Sequence, residues 1–233
     1  MKFAILAAGE GSRLVNDGVR TPKPLICLNG EPMITRLIRI FAANDASSVS
    51  VIVNAEMTDV YQSLLQTSYP VPIQIVCKST PSSMHSFYEL STTLGIDSFC
   101  LTTVDTIFRE DEFAAFIQAF HHCPAEGLLA VTDYVDDEKP LYVETDEQGV
   151  IQGFHDEATS ECRYVSGGIY CLKNSSLPLL KTSVEAGMSR MRNYQRLLVK
   201  SGLKLQAWPF SKIIDVDRPD DIRQAELFLQ DIY

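Results

Sequence analysis

The first half of the chain alternates between short apolar runs and longer amphipathic segments. Residues 3–8 form a uniformly apolar run that ends at a glycine, which is typical of a buried parallel strand. Residues 31–44 carry apolar side chains at helical spacing and predict an amphipathic helix. The same pattern predicts further strands at 49–53, 73–77 and 99–104, and helices at 57–67, 84–94 and 111–121. This alternation indicates a doubly wound, mostly parallel sheet with right-handed crossovers.

The second half of the chain is richer in strands. Strands are predicted at 128–134, 141–145, 150–154 and 163–172, and the polar turn at 146–149 predicts a hairpin between the middle two. Helices are predicted over 174–201, strands at 203–208 and 213–216, and a last amphipathic helix from Pro219. We therefore expect one α/β domain over residues 1–233. Its sheet is predicted to be mixed, with a parallel half at 1–125 and an antiparallel extension at 126–233.

Composition and charge exclude several classes of protein. The 233 residues are 45% hydrophobic and 21% charged, which argues against a disordered chain, a coiled coil or a collagen-like repeat. Thirty acidic and twenty basic residues give a formal net charge of −10. Such a surface repels phosphate backbones, so we expect no nucleic-acid partner. A small anionic substrate needs only a few well-placed cations and stays compatible with this charge.

The cysteines and the apolar runs indicate where the protein resides. None of the six cysteines stands at CxxC spacing, and several lie in apolar, strand-like runs as small hydrophobic residues. The N-terminal apolar run is too short for a signal peptide, and no run approaches the 18 or so apolar residues of a membrane span. We therefore expect a cytoplasmic protein with reduced thiols and no membrane contact. No pattern predicts the oligomeric state.

A glycine-rich segment, LAAGEGSRL at residues 6–14, follows the first predicted strand. Such a turn lets backbone N–H groups approach a phosphate closely. The dinucleotide-binding fingerprint needs a third glycine where this chain has Leu14, and a P-loop needs a Gly-Lys pair that the chain lacks. Arg13 and Lys23 add a guanidinium fork and an ammonium, which favour an anionic ligand. The alternative is a surface turn with incidental basic residues.

Three aspartates stand at predicted strand ends. Asp105 directly follows the strand at 99–104, and ligands of open α/β sheets collect at this carboxyl edge, where Gly9 is also expected. Asp215 and Asp217 flank a short strand before the last helix, so alternation puts both carboxylates on one side. Mg²⁺ binds carboxylate and phosphate oxygens, so these aspartates are candidate metal ligands beside an anion-binding turn. The alternatives are a helix cap at Asp105, a turn before the last helix at Asp215 and Asp217, and a helix cap at Asp217.

The segment LAAGxGxRL followed by PKPL resembles the signature of the nucleotidyltransferase superfamily that makes nucleotide-activated sugars. This superfamily includes the sugar-1-phosphate and phosphocholine-type nucleotidylyltransferases. Further matching segments at 102–105, 166–170 and 214–222 extend the resemblance over essentially the whole chain. The resemblance implies a Rossmann-like fold of GT-A type, with a nucleotide-binding half at 1–125 and an acceptor-binding half at 126–233. It also implies Mg²⁺-dependent transfer of NMP from an NTP to a small phosphorylated acceptor, with release of pyrophosphate.

The resemblance assigns a role to each matching residue. Arg13 and Lys23 would act as catalytic residues on the phosphates. Mg²⁺ would be held by Asp105 together with Asp215 or Asp217, of which Asp217 is slightly favoured. Gly168, in the segment 166–170, would contact the acceptor. The nucleotide would be lined by Leu6, Ala8, Gly9, Gly11, Ser12, Ser82, Ser83 and Asp105.

Two departures from the family pattern concern the substrates. Residues 82–84 resemble the serine-rich stretch of phosphocholine-type cytidylyltransferases and lack the Gly-Thr pair of many sugar nucleotidyltransferases. CTP is therefore slightly favoured over UTP, GTP or dTTP, although a serine cap on a helix explains the stretch equally well. Residues 155–157 replace a Glu-Lys-Pro triplet near the acceptor, so Lys212 is a substitute candidate for its phosphate. The acceptor could be a sugar phosphate, a polyol phosphate or phosphocholine.

Two other functions are compatible with these residues. A glycosyltransferase of related fold could use 215–217 to hold a nucleotide-sugar through a metal, but Arg13 and Lys23 argue against this. A nucleotide-sensing module could keep the glycine loop without turnover. The presence of Asp105, together with the two later aspartates, counts against a sensor.

Overall fold

Nine strands form one mixed sheet in the computed structural model, which describes residues 1–135 and 138–230. The strands are β1 (Lys2–Ala7), β2 (Cys27–Leu28), β3 (Glu31–Pro32), β4 (Ser48–Val53), β5 (Ile73–Cys77), β6 (Phe99–Thr103), β7 (Thr106–Ile107), β8 (Gly127–Thr132), β9 (Tyr142–Thr145), β10 (Ile151–His155), β11 (Cys162–Leu172), β12 (Leu205–Phe210) and β13 (Ile214–Asp215). The helices are α1 (Ser12–Asn16), α2 (Met33–Ala43), α3 (Thr58–Gln66), α4 (Ser83–Leu94), α5 (Glu110–His121), α6 (Leu177–Glu185), α7 (Met191–Lys200) and α8 (Pro219–Gln230), with 3₁₀ turns at Lys23–Leu25 and Asn174–Ser176.

The parallel half of the sheet is built around β1. This strand pairs in parallel with β4 on one side and with β6 on the other, and β5 extends the sheet beyond β4. Alternate residues of β1 enter two different cores. Phe3 packs against Phe41 of α2, with ring centroids 4.6 Å apart, whereas Leu6 on the opposite face joins the core that contains Phe87 of α4. Burial on both faces explains the uniformly apolar sequence of this strand.

The antiparallel half is organised by the long strand β11. It pairs in antiparallel fashion with β6, β8 and β9, and β12 lies parallel to β8 at the outer edge. The predicted hairpin joins β9 to β10, where the carboxylate of Asp146 accepts hydrogen bonds from the N–H groups of Gln148 and Val150. The mixed α/β sheet is therefore confirmed.

A bulge interrupts β11 at Gly167 and Gly168, where the register with β8 shifts between Ser166 and Tyr170. Gly168 has φ +73°, and a Cβ at this position would lie 3.3 Å from Oγ1 of Thr106. The bulge bends the strand where it passes the carboxyl end of β6.

A two-stranded ladder outside the main sheet determines where the last part of the chain lies. β7 pairs in antiparallel fashion with β13, and the N–H of Val216 donates to the carbonyl oxygen of Asp105 at 3.1 Å. The sequence predicts a strand at 213–216 but not its partner β7. The ladder brings the segment before α8 against the end of β6. In the described part of the chain, no helix is long and apolar enough to cross a membrane.

Candidate active site

The turn between β1 and α1 is shaped by two glycines with different roles. Gly11 has φ +62°, and a Cβ there would lie 3.4 Å from Cβ of Lys23. Both the backbone conformation and the limited space at this position therefore favour glycine. A Cβ added at Gly9 would meet no heavy atom within 4 Å. The turn therefore packs against Lys23 at one end and is open to a cavity at the other.

Lys23 is buried at the centre of a cluster of charges. The 3₁₀ turn that begins after Pro22 directs its side chain inward, where only 8% of the surface is exposed. Its ammonium forms ion pairs with Asp105 and with Asp217, the latter at 2.6 Å. Arg13 donates to the second oxygen of Asp217 at 2.7 Å. We call Arg13, Lys23, Asp105 and Asp217 the charge cluster, in which two cations balance two carboxylates.

Burial and ion pairing act in opposite directions on the charge cluster. Burial alone would lower the pKa of Lys23, but the charges of Asp105 and Asp217 outweigh it and raise this pKa above its ordinary value. Burial alone would raise the pKa of Asp105, yet the neighbouring ammonium lowers it below its ordinary value. Lys23 and Asp105 are therefore both charged at neutral pH.

Asp221 holds the main chain around Asp217. Its carboxylate accepts hydrogen bonds from the N–H groups of Asp217 and Arg218, at 2.9 and 2.7 Å. Asp221 is therefore the residue that provides the hydrogen-bond acceptor for these N–H groups before α8. Asp217 does not act as the cap, and its own carboxylate binds Arg13 and Lys23 instead.

The charge cluster borders a cavity of about 560 Å³, which we call the loop cavity. Most of the residues that the sequence predicts for the nucleotide, the phosphates and the metal line it together. They are Leu6, Ala8, Gly9, Gly11, Ser12, Arg13, Lys23, Ser82, Ser83, Asp105 and Asp217.

The loop cavity is also lined by Asn54, Thr80 and Ser86, which are not among the site residues that the sequence predicts. Asn54 accepts a hydrogen bond from Ser79 at 2.7 Å, and the hydroxyls of Thr80 and Ser86 lie 2.6 Å apart. Asn54 directly follows β4, so the strand-end argument that selects Asp105 could have found it.

Ser82 is both a helix cap and a lining residue of the loop cavity. It is the N-cap of α4, and its hydroxyl lies 2.8 Å from Nδ1 of His85. It also lines the loop cavity beside Ser83. A capping role and a position in the cavity are therefore compatible.

Asp215 and Gly168 lie in a neighbouring cleft of about 390 Å³. This cleft shares Ser83 and Thr103 with the loop cavity, so the two spaces adjoin. Because three basic residues line it, we call it the cationic cleft; they are Lys139, Arg190 and Arg192.

The inner wall of the cationic cleft is polar and ordered by hydrogen bonds. Gln195 is 3% exposed, accepts a hydrogen bond from Ser166 at 2.9 Å and donates to the hydroxyl of Tyr170 at 3.3 Å. Burial raises the pKa of Tyr170 to about 12, so this hydroxyl is neutral at physiological pH. The wall therefore offers fixed dipoles to a ligand rather than charge.

Lys212 lies away from both spaces. Its ammonium sits over the ring of Tyr134, 4.0 Å from the centroid, and 5.6 Å from that of Phe228. It lines a separate cleft beside α8. The structure therefore does not bring Lys212 together with the other predicted acceptor residue, Gly168.

The sequence profile of the MobA-like NTP transferase domain matches residues 3–166, which include the glycine turn, Lys23 and Asp105. The chain belongs to this family. It is a nucleotidyltransferase of mixed α/β fold. No curated protein matches the chain in sequence.

Solved structures of other nucleotidyltransferases share the fold of this chain. One, from Bacillus anthracis, is assigned as a glucose-1-phosphate thymidylyltransferase. It is 20% identical, with a TM-score of 0.86, and the match covers 100% of this chain and 96% of that one. Another is the inositol-1-phosphate CTP transferase of T. maritima. It is 18% identical, with a TM-score of 0.80, and the match covers 97% of this chain and 94% of that one.

The carboxylates of this nucleotidyltransferase suit a divalent metal. In the ranges 1–135 and 138–230, no group of three or more acidic, histidine or cysteine side chains is placed to hold a metal ion. Asp105 and Asp217 nevertheless bind the same ammonium, so their carboxylates converge on one point. Mg²⁺ is commonly held by one or two carboxylates, with water and substrate phosphates completing its shell. These two residues therefore fit such an ion.

Proposed function

We propose that this nucleotidyltransferase transfers an NMP group from an NTP to a small phosphorylated acceptor, in a Mg²⁺-dependent reaction that releases pyrophosphate. The proposal rests on the charge cluster, which lies beside the open glycine turn. A cavity bordered by the two cations and two carboxylates of the charge cluster suits a metal-bound triphosphate. The adjoining cationic cleft supplies space for a second anion.

In this proposal the nucleotide occupies the loop cavity. The backbone around Gly9 approaches the phosphates, while Arg13 and Lys23 exchange their carboxylate partners for phosphate oxygens. Asp105 and Asp217 would hold Mg²⁺, which when bound neutralises charge on the reacting phosphate. Asp217 is favoured over Asp215 because it shares Lys23 with Asp105, whereas Asp215 lines the cationic cleft.

The chemical step exchanges one phosphorus–oxygen bond for another. A phosphate oxygen of the acceptor bonds to the α-phosphorus, the bond from that phosphorus to the bridging oxygen breaks, and pyrophosphate leaves with the electron pair. A phosphate monoester is already largely ionised at neutral pH, with a second pKa of about 6, so no general base is needed. Arg13 and Lys23 position the triphosphate and stabilise the charge on the leaving group.

The acceptor is proposed to bind in the cationic cleft, next to Gly168 and Asp215. The printed names of the two structural neighbours, a glucose-1-phosphate and an inositol-1-phosphate nucleotidyltransferase, support a sugar phosphate or polyol phosphate. The serines at 82 and 83 both line the loop cavity, and they support CTP as donor because this stretch resembles that of the phosphocholine-type cytidylyltransferases. Phosphocholine is the remaining candidate acceptor.

The experiment that tests this proposal is pyrophosphate release with Mg²⁺. ATP, CTP, GTP, UTP and dTTP are each combined with glucose 1-phosphate, inositol 1-phosphate, glycerol 3-phosphate and phosphocholine. The expected result is release with one donor and one acceptor, abolished in D105A and retained in D97A, whose exposed aspartate lies away from both spaces. Nucleotide binding without release from any pair would favour the sensor. Activity with nucleotide-sugars as donors would favour the glycosyltransferase.

A further inference from the structure

Arg190 has a backbone conformation that an arginine seldom adopts. Its φ is +71° and its ψ is 132°, and it immediately precedes α7. Three non-glycine residues in the described part of the chain have positive φ. The other two are Asn29 and Asp45, residue types whose short polar side chains tolerate this region. Arg190 is therefore the strained member of the three.

The strained residue stands between the two spaces of the site. Arg190 lines the cationic cleft. Its backbone N–H lies 3.5 Å from the hydroxyl of Ser82, which lines the loop cavity. The backbone conformation thus presents this arginine where an acceptor would meet a nucleotide.

The other charges near Arg190 are engaged within the protein. Arg192 donates to Asp156 at 2.6 Å and to the carbonyl oxygen of Lys139 at 2.9 Å. Arg196 forms a second ion pair with Asp156, at 2.8 Å. The guanidinium of Arg190, by contrast, has no hydrogen bond or ion pair with any residue in 1–135 or 138–230. A planar donor fork is therefore available in the cationic cleft.

We propose that Arg190 binds the phosphate monoester of the acceptor and that its strained backbone is retained because it presents the guanidinium there. This inference rests on the proposed function and adds the residue that recognises the acceptor class. A guanidinium fork matches two oxygens of a phosphate dianion, so acceptors without a phosphate bind poorly. Lys212 then has no part in acceptor binding.

Two substitutions separate the contribution of the Arg190 charge from that of its backbone strain. R190A removes the guanidinium but keeps a Cβ in the strained conformation, whereas R190G removes both and retains the N–H that faces Ser82. Both variants should weaken binding of inorganic phosphate about tenfold or more, measured by isothermal titration calorimetry, because the bidentate contact is lost. R190G alone should raise the melting temperature, by about 2–4 °C. The matched control D45G alters a positive-φ turn elsewhere and should leave phosphate binding unchanged.

The outcomes distinguish this inference from the proposed function. Phosphate binding that R190G leaves unchanged, or no phosphate binding to the wild-type chain at millimolar concentration, would overturn the inference. A melting temperature of R190G at or below that of R190A would overturn the strain argument. Once an active pair is known, R190G should raise the KM of the acceptor about tenfold and leave the Kd of the NTP within about twofold. If no pair is active but phosphate binding still depends on Arg190, the proposed function fails and the anion site stands.

Discussion

The ammonium of Lys23 lies 2.6 Å from a carboxylate oxygen of Asp217, which follows it by 194 positions in the chain. Lys23 also binds Asp105, so one buried cation joins two carboxylates from distant segments. Before any nucleotide binds, the groups proposed to hold phosphate and the groups proposed to hold metal neutralise each other. Ligand binding must therefore exchange partners within the cluster rather than fill a vacant set of charges.

The first prediction concerns this exchange. D217N removes the carboxylate that competes with phosphate for Arg13 and Lys23, so CTP should bind about tenfold more tightly than to the wild type in EDTA. Adding Mg²⁺ should then increase the affinity much less than in the wild type. Equilibrium dialysis with and without Mg²⁺ measures both effects.

The matched control for this prediction is D215N, which removes the same charge from the neighbouring cleft. It should change the metal-free affinity by about threefold or less and keep the Mg²⁺-dependent increase, because Asp215 is not part of the charge cluster. A metal-free affinity of D217N no higher than that of the wild type would contradict the competition. Loss of the Mg²⁺ effect in D215N would identify Asp215 as the ligand.

The second prediction concerns the open side of the glycine turn. In G9A the added methyl group meets no protein atom, so the melting temperature should stay within about 2 °C of the wild type. The same methyl group occupies the space where backbone approaches phosphate, so CTP affinity in Mg²⁺ should fall about tenfold or more. Unchanged affinity would show that the phosphates do not approach the turn at Gly9.

The third prediction concerns the pH dependence of stability. Because the folded protein lowers the pKa of Asp105, its ionised carboxyl stabilises the fold above the ordinary value of 3.8, and this contribution disappears as the pH falls through the lowered pKa. D105N should therefore reduce the free energy of unfolding by about 2 kcal/mol at pH 7. The difference between the two proteins should shrink below pH 4.

Urea unfolding followed by the fluorescence of Trp208 provides this comparison across the pH range. The raised pKa of Lys23 keeps that residue charged throughout, so it adds no slope between pH 3 and 7. A difference between wild type and D105N that stays constant down to pH 3 would mean that the Asp105 carboxyl is not stabilised by its ion pair.

The fourth prediction concerns the bulge in β11. A Cβ at Gly167 would overlap Cδ1 of Ile213 and lie 3.2 Å from the carbonyl oxygen of Ala130. G167A should lower the free energy of unfolding by about 2 kcal/mol, because the packed neighbours must shift. In an I213A background the further loss should be smaller, and a double-mutant cycle in urea measures the coupling. Fully additive effects would show that the two positions do not compete for space.

Much of the fold could be predicted from the sequence because its signals are strong and local. The apolar run at 3–8 and the turn at 146–149 each favour one structure, and both are confirmed. Gly9 and Asp105 of the loop cavity were also accessible, because the ends of parallel strands meet at one edge of a sheet, whereas most of the other predicted lining residues were implied by the family resemblance. Asn54 satisfies the same condition and was missed because its flanking sequence carries no motif.

The relationships that long-range packing creates could not be predicted in the same way. The strand at Thr106–Ile107 has two residues, too few for a periodic pattern, and its pairing with β13 depends on the path of the whole chain. Nothing in the local sequence shows that Arg190 has a positive φ. Lys212 carries the charge expected of an anion site, but the rings of Tyr134 and Phe228 engage it.

The ladder between β7 and β13 also determines when the site can exist during synthesis. A nascent chain that has emerged as far as β11 already contains the glycine turn, Lys23 and Asp105. In such a chain the Lys23 ammonium has Asp105 as its carboxylate partner, because Asp217 is translated later and is held in place by the ladder. The charge cluster is therefore complete only after Asp217 has been translated, and a ribosome-bound fragment that lacks β13 also lacks this part of the proposed site.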